Sequence, residues 1–113
     1  MDAVKPEILN IARKYISLLE ETGYSVKEAY LYGSYSRGME NEWSDIDIAV
    51  VSDSFEGYLF KDKEKNRGLY SRVDLRLSIL PLNSTSLNSF FIQSEIVKKG
   101  ANILKKNIIQ HLL

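Results

Sequence analysis

The chain has 113 residues, with 15 Lys and Arg balancing 15 Asp and Glu, and no cysteine. That length predicts one domain over residues 1–113, long enough to bury roughly two thirds of the surface its unfolded chain exposes. The missing thiols exclude disulfides and thiolate metal sites, and the even charge disfavours action on extended DNA or RNA. With no signal-like N-terminus and no apolar run near the roughly 18 residues that span a bilayer, the expected location is the cytoplasm, away from any membrane.

In chain order, Pro6 suits the first turn of a helix, and Ile8, Ile11, Ala12, Tyr15, Leu18 and Leu19 recur at helical spacing until Thr22-Gly23 stops it. A strand follows from Val26 to Tyr32, with Tyr30 and Tyr32 read as sheet packing. It breaks at Gly33-Ser34 into Tyr35-Ser36-Arg37-Gly38. Glycine permits a tight backbone path, and successive amide hydrogens opening a short helix make an anion-binding concavity. The Ser34 hydroxyl and the Arg37 guanidinium add a donor and a charge. Trp43 reads either as packing at a loop edge or as a cover for a nucleotide base.

Asp45-Ile46-Asp47-Ile48-Ala49-Val50-Val51 alternates with period two, so Asp45 and Asp47 share one strand face. Same-face neighbours lie roughly 6.5–7 Å apart, close enough to grip one hard cation from two sides. Unneutralised, two carboxylates there repel and raise each other's pKa. Magnesium fits, because it takes one or two carboxylates and fills its octahedron with water and phosphate oxygens. The segment from Ser52 to Tyr70, with the charge run Lys61 to Arg67, reads as a solvated mobile loop or short helix, or as a partner-docking segment. In Arg72 to Ile79 the residues Val73, Leu75, Leu77 and Ile79 are apolar and Asp74 falls on the polar face of a predicted strand. After Pro81, Ser84 or Thr85 is placed to cap a helix through Phe90, Phe91, Ile92 and Ile96 toward Gly100. A short strand over Ala101 to Leu104 and a terminal helix from Lys105 to Leu113 complete the reading, with His111 at a helix-end surface.

If the two acidic strands are adjacent in one sheet, Asp45, Asp47 and Asp74 converge on one surface. Three acids can hold two metal ions, which clamp the attacking and leaving oxygens of an in-line phosphoryl displacement, while a carboxylate not fully occupied by metal can take the proton of an incoming hydroxyl. The bland alternative is a solvated sheet face whose acids pair with Arg37, Arg72, Arg76 or nearby lysines. Arg72 and Arg76 flank Asp74 at same-face spacing, fit either to pair with it or to steer a triphosphate.

Gly33-Ser34, Ser44-Asp45-Ile46-Asp47 and Val73-Asp74-Leu75 resemble the signature of the minimal nucleotidyltransferases, a group within the DNA polymerase β-like superfamily: a Gly-Ser turn, ten residues, Asp-x-Asp, and a third strand-borne Asp. Arg37-Gly38 is similar to the family's Arg-Gly after the turn, and Glu95-Ile96 to Lys99-Gly100 to its C-terminal helix ending. The chain departs at Tyr35, where many members carry Arg. The resemblance implies that Gly33 and Ser34 contact the triphosphate, that Asp45 and Asp47 bind magnesium, and that Asp74 completes the triad. It also implies transfer of AMP from ATP to a hydroxyl. Since larger relatives carry an extra helical domain for their acceptor, the expected acceptor lies in trans: a tyrosine of a HEPN-domain toxin ribonuclease, with this chain as its antitoxin. The alternatives are a non-catalytic antitoxin acting by occlusion and a small-molecule transferase of the aminoglycoside type. The expected fold is α/β (α+β), a mixed sheet with helices on one face and the site on the opposite, polar face.

Overall fold

The computed structural model describes residues 4–36, 38–41, 43–57 and 59–104. Helix α1, Pro6–Glu21, begins without a side-chain cap, and Pro6 at its first position has no N–H to leave unpaired. It ends where the Thr22 hydroxyl donates to the Leu19 carbonyl at 2.6 Å. Ile8, Ala12, Tyr15, Ile16 and Leu19 form its buried stripe.

Strands β1 (Glu28–Tyr32) and β2 (Ile46–Val51) are antiparallel, β3 (Leu77–Leu82) runs parallel to β2, and β4 (Ala101–Asn102) pairs antiparallel with the other edge of β1. The order is β3-β2-β1-β4. Helix α2, Leu59–Val73, is the crossover that the parallel pair needs. Pro81 is accommodated because β3 is an edge strand. One face of this sheet, built from Ala29, Leu31, Ile46, Ile48, Val50, Leu77 and Ile79, is buried in a common core with α1 and with Leu69, Tyr70 and Val73 of α2. The mixed sheet with helices matches the expected fold.

The opposite face is not simply polar. Register aligns Tyr32 with Asp47 and Ser78, Tyr30 with Ala49 and Leu80, and Glu28 with Val51 and Leu82. Tyr30, Ala49, Val51 and Leu82 form a second core with Ile92 and Ile96. These last two come from α3, Phe90–Ile92, which continues as a wider π turn over Gln93–Val97. The expectation of helices on one face alone is therefore corrected, and the Tyr32–Asp47–Ser78 end stays half-buried. Ala49 and Val51 explain the difference: both are apolar, so β2 has to bury both sides. The start of that covering segment is set by Ser89, whose hydroxyl accepts from the Ile92 amide at 3.2 Å, after a separate one-turn helix capped by Asn83.

The charge run of residues 61–67 is helical rather than a loop. Asp62, only 1% exposed, turns inward and accepts from the Glu56 and Gly57 amides at 2.9 and 3.0 Å. Asn66, one turn later, is buried too and donates to the Asp62 carbonyl at 2.8 Å. Lys61, Glu64, Lys65 and Arg67 face solvent. After Asn102 the Ile103 amide still bonds the Ala29 carbonyl, at 2.9 Å. The terminal helix expected over 105–113, and His111 with it, lie outside the described residues.

Candidate active site

The site gathers where β1 ends and β2 begins. After Tyr32 the chain turns through Gly33 at φ 75°, a left-handed conformation that disfavours any side chain, and enters a single 3₁₀ turn, Ser34–Ser36. A second constraint acts on Gly33, because a Cβ there would collide with Oδ2 of Asp47. The glycine thus lets the backbone lie directly against the carboxylate. Ser36 closes the turn, its amide and hydroxyl donating to the Gly33 carbonyl at 3.2 and 2.8 Å. The Met39 amide bonds the Ser34 carbonyl at 3.0 Å. Arg37, the expected phosphate-binding cation, lies outside the described residues.

The segment that leads into the acids is held by its own turn. Asn41 Oδ1 accepts from the Trp43 amide at 2.8 Å, and the Asn41 amide donates to the Ser44 hydroxyl at 2.9 Å. Lys5 at the entrance of α1 lies 2.6 Å from Glu40, tying this loop to the body of the protein. Trp43 is 85% exposed and so packs little, contrary to the loop-edge reading. Asp45 is exposed and lies one residue before β2; Asp47 is half-buried within it. Burial is the main cause that raises the Asp47 carboxyl above its ordinary pKa, and Asp45 raises it further, while Lys63 of α2 and the Ser78 hydroxyl pull the other way. Asp47 in turn reinforces burial in pushing the Tyr32 phenol up to about 12. The two acids therefore carry negative charge that the protein only partly offsets.

Asp74 does not join them as the alternation of Arg72 to Ile79 predicts. Helix α2 runs through Val73, and β3 begins only at Leu77. Asp74 sits in the intervening turn, where its Oδ1 accepts from the Arg76 amide at 2.8 Å and the Arg76 guanidinium grips both oxygens, at 3.1 and 3.0 Å. This clamp, led by the Arg76 hydrogen bond, lowers the Asp74 pKa. Leu75, placed on the buried face by the same pattern, is 88% exposed. The residue that register sets beside Asp47 on β3 is Ser78. Among the described residues no three His, Cys, Asp or Glu side chains lie close enough to hold one metal ion. Asp45 and Asp47 together suit one hard cation completed by water and phosphate oxygens; the third ligand for a second ion is not in place.

A pocket of about 300 Å³ opens on the same face, between the glycine turn and the C-terminal helical segment. Tyr32, Gly33 and Ser36 line one side, Leu80 and Ile96 the floor, and Phe91, Glu95 and Lys99 the far wall. Sequence reading missed this wall, because those residues lie about 60 positions from the glycine turn and no local pattern links the two. For Tyr32 a signal existed: once its register with Asp47 is known, it belongs to the acidic row.

The family description "Nucleotidyltransferase domain" matches residues 12–107. The chain belongs to the nucleotidyltransferase domain family. This bears out its likeness to the minimal, polymerase β-like members. Two proteins of Methanocaldococcus jannaschii, each named putative protein adenylyltransferase, are similar to it. One is 42% identical over 74 residues, covering 61% of this chain and 73% of the relative; the other is 37% identical over 78 residues, covering 69% and 88%. Among solved structures, a chain of a toxin–antitoxin complex with AMP-PNP superposes with a TM-score of 0.60 at 26% identity, covering 88% of this chain and 87% of that one. A chain of the MntA–HpeT toxin–antitoxin complex gives 0.58 at 25%, with the same coverage. No helix among the described residues is long and apolar enough to cross a membrane.

Proposed function

We propose that this nucleotidyltransferase-domain chain moves AMP from ATP onto a hydroxyl of a protein acceptor, a tyrosine of a HEPN-domain toxin for which it serves as antitoxin. The observation that carries the reading is Gly33 lying bare against the Asp47 carboxylate, with Asp45 beside it, since this joins a phosphate turn to a charge pair in need of a cation. The relatives named as protein adenylyltransferases and the toxin–antitoxin likeness support the choice of acceptor class. Asp45 and Asp47 would hold a magnesium ion, which would supply neutralisation of the triphosphate oxygens.

The chain's own groups do the rest. Amides of the Gly33–Ser36 turn and the Ser34 hydroxyl orient the phosphates, and Arg37 adds positive charge. The acceptor oxygen bonds the α-phosphorus as the bond to the bridging oxygen of the β-phosphate breaks, and pyrophosphate leaves with that electron pair. Asp45, the exposed acid, takes the acceptor's proton on the carboxylate oxygen that the cation leaves free. Asp74 shares in this only if the Arg76 clamp opens.

A second reading, neutralisation of the toxin by occlusion alone, draws on the same clamp and on the exposed Met39, Trp43, Leu75 and Phe90. One experiment separates them. The purified chain is incubated with magnesium, α-labelled ATP and the product of the neighbouring gene, and label on that protein is followed by gel and mass spectrometry. Transfer is expected, with Asp45→Asn and Asp47→Asn each lowering its rate at least about 100-fold, the effect of losing several kcal/mol of charge neutralisation. An unlabelled toxin that both variants still neutralise would establish occlusion instead.

A further inference from the structure

We propose that the pocket between the glycine turn and the segment 90–99 holds the nucleoside half of ATP, with the Phe91 ring as stacking platform for the base and the Glu95 carboxylate as acceptor for a ribose hydroxyl. The inference rests on the proposed function, whose phosphate turn supplies Gly33 and Ser36 to one side of this pocket. A ligand with its phosphates on that turn and its α-phosphorus near Asp47 has its remaining half facing Leu80, Ile96 and Phe91.

Size and chemistry agree. About 300 Å³ stands at the lower end of the range for ligand pockets, enough for a nucleoside and little more. Leu80 and Ile96 give an apolar floor, and Phe91, 64% exposed at the rim, offers a ring face that gains by being covered. Stacking on it tolerates any base. Glu95 is different, because an ionised carboxylate only accepts hydrogen bonds. It therefore cannot serve the phosphate end, yet it suits the two hydroxyls of a ribose. Its charge next to a triphosphate would be repulsive but for Lys99, which sits 3.0 Å away on the next turn and moderates it. Selectivity for the sugar is thereby assigned to Glu95, and general affinity to Phe91.

The test is binding of AMP without metal to the full chain, by calorimetry or ligand-observed NMR, with the labelled-ATP transfer assay run in parallel. Phe91→Ala is expected to weaken AMP, GMP and CMP alike, by about 10-fold. Glu95→Ala is expected to weaken AMP by a similar factor while leaving 2′,3′-dideoxy-AMP unchanged, and 2′-deoxy- and 3′-deoxy-AMP show which hydroxyl is read. Both side chains are solvent-facing, and melting curves of the variants confirm that they fold. AMP binding that neither variant alters, or none by the wild type, overturns the pocket assignment even where transfer proceeds. Variant-sensitive AMP binding without any transfer leaves the pocket standing and overturns the proposed reaction.

Discussion

Asp47 is pulled by opposed demands. Packing places it in the Tyr32–Asp47–Ser78 row, half out of water and against Gly33, and burial together with Asp45 makes its ionised form costly. A carboxyl whose folded pKa lies above its unfolded value stabilises the fold while protonated, and that contribution is lost as pH rises from the ordinary carboxylate range through the raised value. Without metal, the contribution of Asp47 to thermal stability should therefore fall across this window, so the difference between wild type and Asp47→Asn should shift in favour of the variant as pH rises. At neutral pH the variant should be the more stable, on the order of 0.5 kcal/mol, as for relief of opposed like charges in a sheet. Melting curves in metal-free buffer between about pH 4 and 7 measure it. A variant less stable than wild type at neutral pH would show that Asp47 holds the fold together and is not a strained functional group.

At the scale of elements, α2 and the turn after it set how β3 enters the sheet. The helix is anchored by a buried acid rather than by an apolar stripe alone. Asp62 satisfies two loop amides, so Asp62→Ala leaves the part-buried Glu56 and Gly57 N–H groups without their carboxylate partner. A loss of about 1–3 kcal/mol is expected, read as a lower urea midpoint with an unchanged slope. No loss would mean that solvent reaches those amides freely. Beyond α2, the Asp74–Arg76 clamp decides which residue faces Asp47. Alternation of apolar residues suggested a strand from Val73 onward, but the backbone bond from the Asp74 amide to Tyr70 O at 3.3 Å extends the helix, and the carboxylate then folds back on the Arg76 amide. A period of two in four residues cannot report where a preceding helix stops, so the third acid fell one turn short of the sheet.

For the molecule as a whole, the carboxylate pair and the pocket beside it meet only when β1, β2 and the C-terminal segment close together. A ligand that binds this assembly and not the unfolded chain must stabilise it. Magnesium with ATP at about 100 times its Kd should add about 2.7 kcal/mol, a rise in Tm of roughly 10 °C for a chain of this size. Magnesium alone should do less, and Asp45→Asn should abolish the metal-dependent part. A Tm indifferent to magnesium-ATP would remove the ground for both the metal and the triphosphate.

The sequence by itself determined the local features: the stripe of α1, the break at Gly33, and the Asp45-x-Asp47 spacing at the start of β2. Each follows from a spacing within a few residues, where helix and strand periods or the freedom of glycine act alone. The family signature was legible for the same reason, being itself a set of short spacings. Tertiary structure alone decided that the acidic face also carries a second core, that Ser78 and not Asp74 stands beside Asp47, and that Phe91 and Glu95 face the glycine turn. Those depend on strand register, on where α2 ends and on which sheet face the last helical segment covers, all set by contacts between residues far apart in the chain.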